Sequence, residues 1–338
     1  VFKGGERYSD YRAVNETAER MGAILNAYTS HDLVAFHITS RAEAAGAAID
    51  LLTDIAGRPL IDASELERER GVVIQEIARS NDQPATVAEH LIDAAAFGEH
   101  PLGRPVLGPE EHLRGFSRET MLDFRSRRWS PRLGGAFLVG NTDHLPDGDA
   151  LAEAFGRFPA FDQPGPFEPA PALRAATLVE HRDSNQSHLR LLYRPQIDSR
   201  DPRQRAALTI YSTLLGGSMG SRLFDELREQ RGLCYSVWSV DHSFADVPIL
   251  QLGAGLDSSK CVEAYTLMRE IVDRLRRDGP REEELERARA YAAGRRILTF
   301  ENSGIDAVAF DEVEAVARAI STDVAVACVG PHSERDFS

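Results

Sequence analysis

The order of apolar and polar positions predicts two similar runs of helices and strands. In the first, a helix covers about residues 9–21, strands follow near 23–28 and 33–39, and a helix spans 42–55. A long helix starts near Ser64, helical segments continue through Phe97 and over 118–127, and a strand at 135–139 closes the run. Residues 158–171 hold many prolines together with Gly165 and read as a linker. The second run has strands near 177–181 and 188–193, helices at 201–215 and 221–230, and strands at 234–242 and 249–255. Helices at 260–277, 281–299 and 312–320 then lead into a strand at 324–329.

The two runs match in order. E-L-E-R-E-R, beginning at Glu65, recurs as E-L-E-R-A-R, beginning at Glu284, an offset of 219. The ending F-L-V-G at 137–140 recurs as A-C-V-G at 327–330, an offset of only 190. The competing explanation is chance, because Glu/Arg-rich helices are common. Duplication predicts two domains, 1–160 and 173–338, joined by a linker at 161–172. It also predicts that the second run lacks a segment near 302–305 and that the opening of the first domain is missing before Val1. V-F-K-G-G starts abruptly, without an initiator Met.

Composition narrows the class. A length of 338 residues suits two domains, and 42% hydrophobic with 27% charged residues is globular. A net charge of −14 without a basic stripe argues against nucleic acid. No run of eighteen apolar residues predicts a membrane span. Cys234, Cys261 and Cys328 are unevenly spaced with no C-x-x-C, which reads as neither a disulfide framework nor a thiolate metal site and fits a reducing cytoplasm.

The most informative stretch is L-E-R-E-R-G-V-V-I-Q-E-I at 66–77. It is a strong helix in which Glu69 and Glu76 stand seven residues, close to two turns, apart, so both carboxylates point one way. Such a pair suits holding a metal or positioning a metal ligand. Taken alone, such spacing more often marks two solvated acids. Arg228 and Tyr235 are also seven apart but straddle a helix end, with Gly232 suited to the cap. Asn26, Ala27, Tyr28 and Thr29 read as an exposed sheet edge to which an extended peptide could add. His31 and His37 read as structural or surface residues, and His100 as satisfying loop backbone groups. Gly216, Gly217 and Gly220 have no following G-K-[ST] and do not read as a phosphate loop.

Several stretches together resemble the pitrilysin/insulinase family of zinc peptidases, on the branch of the mitochondrial processing peptidases. They are V-F-K-G-G, L-N-A-Y-T-S at 25–30, E-R-E-R-G-V-V-I-Q-E-I and H-P-L-G-R-P-V-L-G at 100–108. The most specific is L-L-G-G-S-M-G-S-R-L-F-D-E-L-R-E-Q-R-G-L-C-Y at 214–235. The resemblance implies an α+β fold of two duplicated domains, each a mostly antiparallel sheet covered on one face by helices. It implies zinc as cofactor, Glu76 as the third protein ligand and Glu69 as a supporting acid. It makes Asn26 to Thr29 the substrate-binding edge, and Arg228 with Tyr235 the pair that holds the substrate carbonyl and stabilises the oxyanion.

The family's inverted motif, H-x-x-E-H, places two His on one helical face with a Glu as general base. This sequence contains no H-x-x-E-H. Two readings follow. One is a cytoplasmic zinc endopeptidase that cleaves peptides or unfolded leader segments inside a chamber of paired subunits, as a homodimer or with a related subunit, its motif lying before Val1. The other is a non-catalytic partner or core subunit.

Overall fold

The computed structural model describes residues 2–159, 169–244, 247–298 and 308–338. In chain order its main elements begin α1 (Tyr11–Arg20), β1 (Ile24–Thr29), β2 (Val34–Thr39), α2 (Ala45–Gly57), α3 (Ala63–Asp82) and α4 (Pro84–Phe97). Next come α5 (Glu110–Gly115), α6 (Arg118–Arg128), α7 (Gly148–Phe155), β3 (Thr177–His181), β4 (Gln186–Tyr193) and α8 (Pro202–Ser212). The chain ends with β5 (Cys234–Ser243), β6 (Pro248–Asp257), α9 (Cys261–Asp278), α10 (Glu282–Leu298), α11 (Phe310–Ala319) and β7 (Ala325–Gly330). The fold is α+β, as expected. Glu65 and Glu284, which open the two E-L-E-R copies, lie on α3 and α10 respectively.

The chain divides into two compact units. One comprises Val1–Ala78 with Val106–Glu168, the other Arg79–Pro105 with Pro169–Ser338. In the first unit the Asp10 carboxylate caps α1 by accepting the Arg12 and Ala13 N–H groups, each at 2.9 Å. A cap of this kind contributes about 1 kcal/mol. Val14 and Ala18 of α1, with Met21, pack on Leu51 and Ile55 of α2. The adjoining side of α2 is polar. Asp54 is completely buried and accepts from the Arg7 and Tyr8 N–H groups and from Arg58. Asp50 accepts from Arg7, from the Tyr8 hydroxyl at 2.8 Å and from Arg157 at 2.7 Å. Burial and that hydrogen bond push the Tyr8 phenol up to about 12.

The second unit is built on a five-stranded sheet in the order β3-β7-β4-β6-β5. Only β3 and β7 run parallel; the other pairs are antiparallel. One face packs on α8, α9, α10 and α11 through a large apolar core that includes Leu189, Leu191, Leu252, Met268 and Val316. The other face, expected to be uncovered, carries α4, whose Ile92, Ala95 and Phe97 join a core with Leu192, Ile249, Ala325 and Ala327. β6 is therefore buried along nine consecutive positions. Strands closed on both faces lose the alternating pattern and read as continuous apolar runs.

Residues 79–105 thus belong with the second unit, although the repeat assigned them to the first. The reason is the composition of α4, whose Val87, Ala88, Ile92, Ala95, Ala96 and Phe97 are all buried. Most of the expected linker, like the expected gap at 302–305, lies outside the described residues. The strand expected at 135–139 is absent. That stretch pairs with no strand among the described residues, and Phe137 and Val139 are 89% and 95% exposed. An apolar β-prone run becomes a strand only where a neighbour takes its backbone groups.

Beneath α4 lies a polar patch. Arg190 of β4, only 5% exposed, pairs with Glu89 of α4, which also accepts from Gln251 of β6. The Arg190 guanidinium lies 5.1 Å from the centre of the Trp238 ring. One turn on, Asp93 makes no hydrogen bond with a described residue. Burial, aided by the Glu89 charge, pushes its carboxyl up to about 7. With the folded value raised, the neutral acid favours the fold at low pH, and that contribution is lost as pH rises from about 4 through about 7. Asp93→Asn should therefore match the parent near pH 4 and exceed it in stability at pH 8, by on the order of 2 kcal/mol. Urea midpoints across this range check it; a gap that does not widen with pH contradicts the assignment.

Candidate functional site

The α3 helix places the predicted acids as its period requires, but their surroundings differ. Glu69 is half-buried and held by Lys3, Nζ to Oε1 at 2.8 Å. The hydrogen bond to Glu69 raises the Lys3 pKa, outweighing a small effect of burial. Glu76 is exposed and makes no hydrogen bond or ion pair with a described residue. One acid is thus fixed by the N-terminal segment, and its neighbour two turns on is free to act as a donor.

Asn26, Ala27, Tyr28 and Thr29 lie on β1, which forms a two-stranded antiparallel hairpin with β2. The Ser30 N–H donates to the Leu33 carbonyl at 2.8 Å, closing the turn over His31 and Asp32. Alternation from that bond turns the backbone groups of Tyr28, Asn26 and Ile24 toward β2 and those of Thr29, Ala27 and Leu25 outward. The Ala27 N–H is taken by the side-chain oxygen of Asn26 at 2.8 Å. Asn26 therefore caps the middle of an edge whose flanking groups are left for an added strand. Tyr28 is 56% exposed and leans on His37, with ring centres 6.4 Å apart.

In the second unit, a π-helical turn, Phe224–Glu229, carries Arg228. Its guanidinium lies 4.6 Å from the centre of the Phe224 ring and 3.9 Å from the Glu229 carboxylate. Gly232, with φ +59°, ends the helix as predicted: its N–H reaches the Arg228 carbonyl at 3.0 Å, and the Leu233 N–H reaches that of Leu227 at 2.8 Å. β5 then begins, and Tyr235 stands 54% exposed with its phenol end over Gly255 of β6. Arg228 and Tyr235 thus sit on either side of the Gly232 turn, Arg228 steadied by a ring and Tyr235 by a bare glycine.

His100 takes the structural role expected of it. His100 Nδ1 accepts the Leu102 N–H at 3.2 Å. Gly216 admits the backbone of Trp238 and Ser239 where a Cβ would clash, so it is a packing glycine. Asp93 and the Glu89–Arg190 pair went unnoticed in the sequence because nothing local marks α4 as lying on a distant sheet.

The donor set decides how far these residues fit a zinc ion. Glu76 offers one exposed carboxylate, and among the described residues no His, Cys or further acid completes a three-ligand group around it. A catalytic zinc needs three protein ligands. The residues present therefore do not form that site on their own.

Comparison with known proteins gives two family-model matches. The Insulinase (Peptidase family M16) model matches residues 1–110, and the Peptidase M16 inactive domain model matches 115–291. A Mycobacterium bovis protein named as an uncharacterized zinc protease is 30% identical over 354 aligned residues, covering 95% of this chain and 80% of that protein. The Bacillus subtilis protein YmxG, likewise named as an uncharacterized zinc protease, is 28% identical, covering 90% and 73%. Among solved structures, a peptidase M16 inactive domain from Pseudomonas fluorescens matches with a TM-score of 0.84 at 18% identity, covering 98% of this chain and 86% of that one. A chain of Complex III2 from Candida albicans matches at 0.71 and 15%, covering 96% and 88%.

The bare Gly255 under Tyr235 is open to test. In Gly255→Val the added carbons would occupy the space of the Tyr235 phenol and Ser236 hydroxyl. Overpacking should cost about 2 kcal/mol in urea unfolding, and the Tyr235 ring should become more accessible to nitration. Unchanged stability and accessibility would mean that the ring does not rest there.

Proposed function

Because the chain belongs to the insulinase, or M16, family of peptidases, we propose that it takes part in zinc-dependent endoproteolysis of peptides or unfolded leader segments. The observation that carries this reading is the unpaired, exposed Glu76 two turns from the anchored Glu69, inside the stretch matched by the insulinase model. Relatives named as zinc proteases support the same reading.

In this reading a peptide adds to the free edge of β1, its backbone bonding the outward groups of Leu25 and Thr29. The Asn26 amide swings from Ala27 to the peptide. Arg228 and Tyr235 hold the carbonyl beside the scissile bond, where a cation and a phenol stabilise developing negative charge. The cleavage step needs two imidazole ligands and a general base, the groups that an H-x-x-E-H motif, not found in this sequence, would supply. Pairing of subunits, as a homodimer or with a related chain, would enclose the peptide and exclude folded proteins. Among the described residues no helix is long and apolar enough to cross a membrane, and we place the protein in the cytoplasm.

A second reading, a non-catalytic partner that presents peptide to an active subunit, accords with the match of residues 115–291 to the Peptidase M16 inactive domain model. One experiment separates them. The product of the complete gene is incubated with an unstructured peptide, with and without a chelator. Cleavage that the chelator abolishes, and that falls on the order of a hundredfold or more in Glu76→Gln, supports the enzyme. Equal cleavage in both tubes rejects a zinc mechanism. Peptide binding without cleavage, unless an M16 partner is added, supports the second reading.

A further inference from the structure

Two of the three cysteines come together in the fold. Cys261 is the first residue of α9 and Cys328 lies on β7, both completely buried, with their sulfurs 3.8 Å apart. His332 follows two residues after the end of β7, with its side chain 9% exposed. One donor atom from each of the three lies within 4.8 Å of the others.

The sulfur separation is informative. A disulfide needs about 2.05 Å. Two sulfurs on one tetrahedral zinc, each at about 2.3 Å, stand about 3.8 Å apart. The imidazole is held by a chain of hydrogen bonds with one direction. The Ser258 hydroxyl donates to the Ser184 carbonyl at 2.9 Å. The Ser187 hydroxyl must then donate to Ser258, also at 2.9 Å, and it accepts from His332 Nε2 at 2.9 Å. The proton is thereby fixed on Nε2 and the lone pair on Nδ1. Asp336 lies 3.9 Å from Nδ1, beyond hydrogen-bond reach, and is occupied by the Ser333 N–H at 2.8 Å. A His whose second nitrogen donates to a fixed acceptor is the usual state of a metal ligand. Burial lowers the His332 pKa.

We propose that Cys261, Cys328 and His332 bind one thiophilic divalent cation of the zinc class, clasping the start of α9 to the end of β7. The fourth position is open to water or to the Asp336 carboxylate. Binding exchanges two S–H bonds for two metal–sulfur bonds and releases two protons to solvent. The site shares no residue with Glu69, Glu76, Arg228 or Tyr235.

Cadmium(II) alone is the probe, added to the reduced, metal-free protein without oxygen. Thiolate-to-cadmium charge-transfer absorption should rise to a limit at one equivalent and be displaced by zinc. Carboxylate and imidazole ligands cannot produce that band, so the family's zinc site does not interfere. Ser187→Ala, which frees the ring, should weaken binding about tenfold. Cys328→Ser should abolish the band and Cys234→Ser should leave it, with circular dichroism verifying that each variant folds. Absence of the band in the unmodified protein overturns the proposal. So does a band that survives loss of both Cys261 and Cys328, or a peptide map showing the two already joined as a disulfide.

Discussion

A sheet covered on both faces cannot leave a charge unpaired, and that constraint organises the second unit. Arg190 projects from β4 into a nearly dry layer. Left alone, a buried guanidinium would be strongly destabilising. Glu89 of α4 supplies the opposite charge, and the Trp238 ring lies against the guanidinium. The ion pair fixes where α4 can sit, while the apolar side chains of Ile92, Ala95 and Phe97 supply the area that holds it there. Asp93 is the cost of that arrangement: a carboxyl drawn into the same layer with no cation of its own.

The first unit solves a different problem. Its sheet is a single hairpin among the described residues, too little to hold a domain together. Polar fastening takes up the work. Asp50 and Asp54 on one side of α2 gather Arg7, Tyr8 and Arg157 from segments far apart in sequence, together with Arg58 one turn on. Further out, Arg70 and Arg118 reach the carbonyls of Phe116 and Ile61. The hairpin left in this frame keeps one edge of β1 open, and an open edge is an invitation to another strand. Asn26, by covering the central N–H of that edge, limits indiscriminate pairing.

Glycines set the second group of candidate residues. Gly232 turns the chain from the Arg228 helix into β5, a conformation that side-chain-bearing residues seldom adopt. Gly253 and Gly255 on β6 leave room for Trp238 and Tyr235 on the neighbouring strand. Side chains that would otherwise point freely into solvent are thereby given a floor. Precision at a site depends on such support as much as on the residues that touch a ligand.

Much of the fold was legible from local pattern. The helices, the Glu69/Glu76 face and the Gly232 cap all depend on residues within two turns of one another, and periodicity reports such relations directly. Three features were not legible. The stretch at 135–139 has the composition of a strand but no partner, α4 left its own half of the repeat for the sheet of the other, and Cys261, Cys328 and His332 met across a wide gap in sequence. Each depends on which distant surface a segment finds. A chain's local preferences determine what each segment can become, whereas packing over long separations decides which side chains share a neighbourhood, because burial and pairing are properties of two surfaces and neither is written in one of them alone.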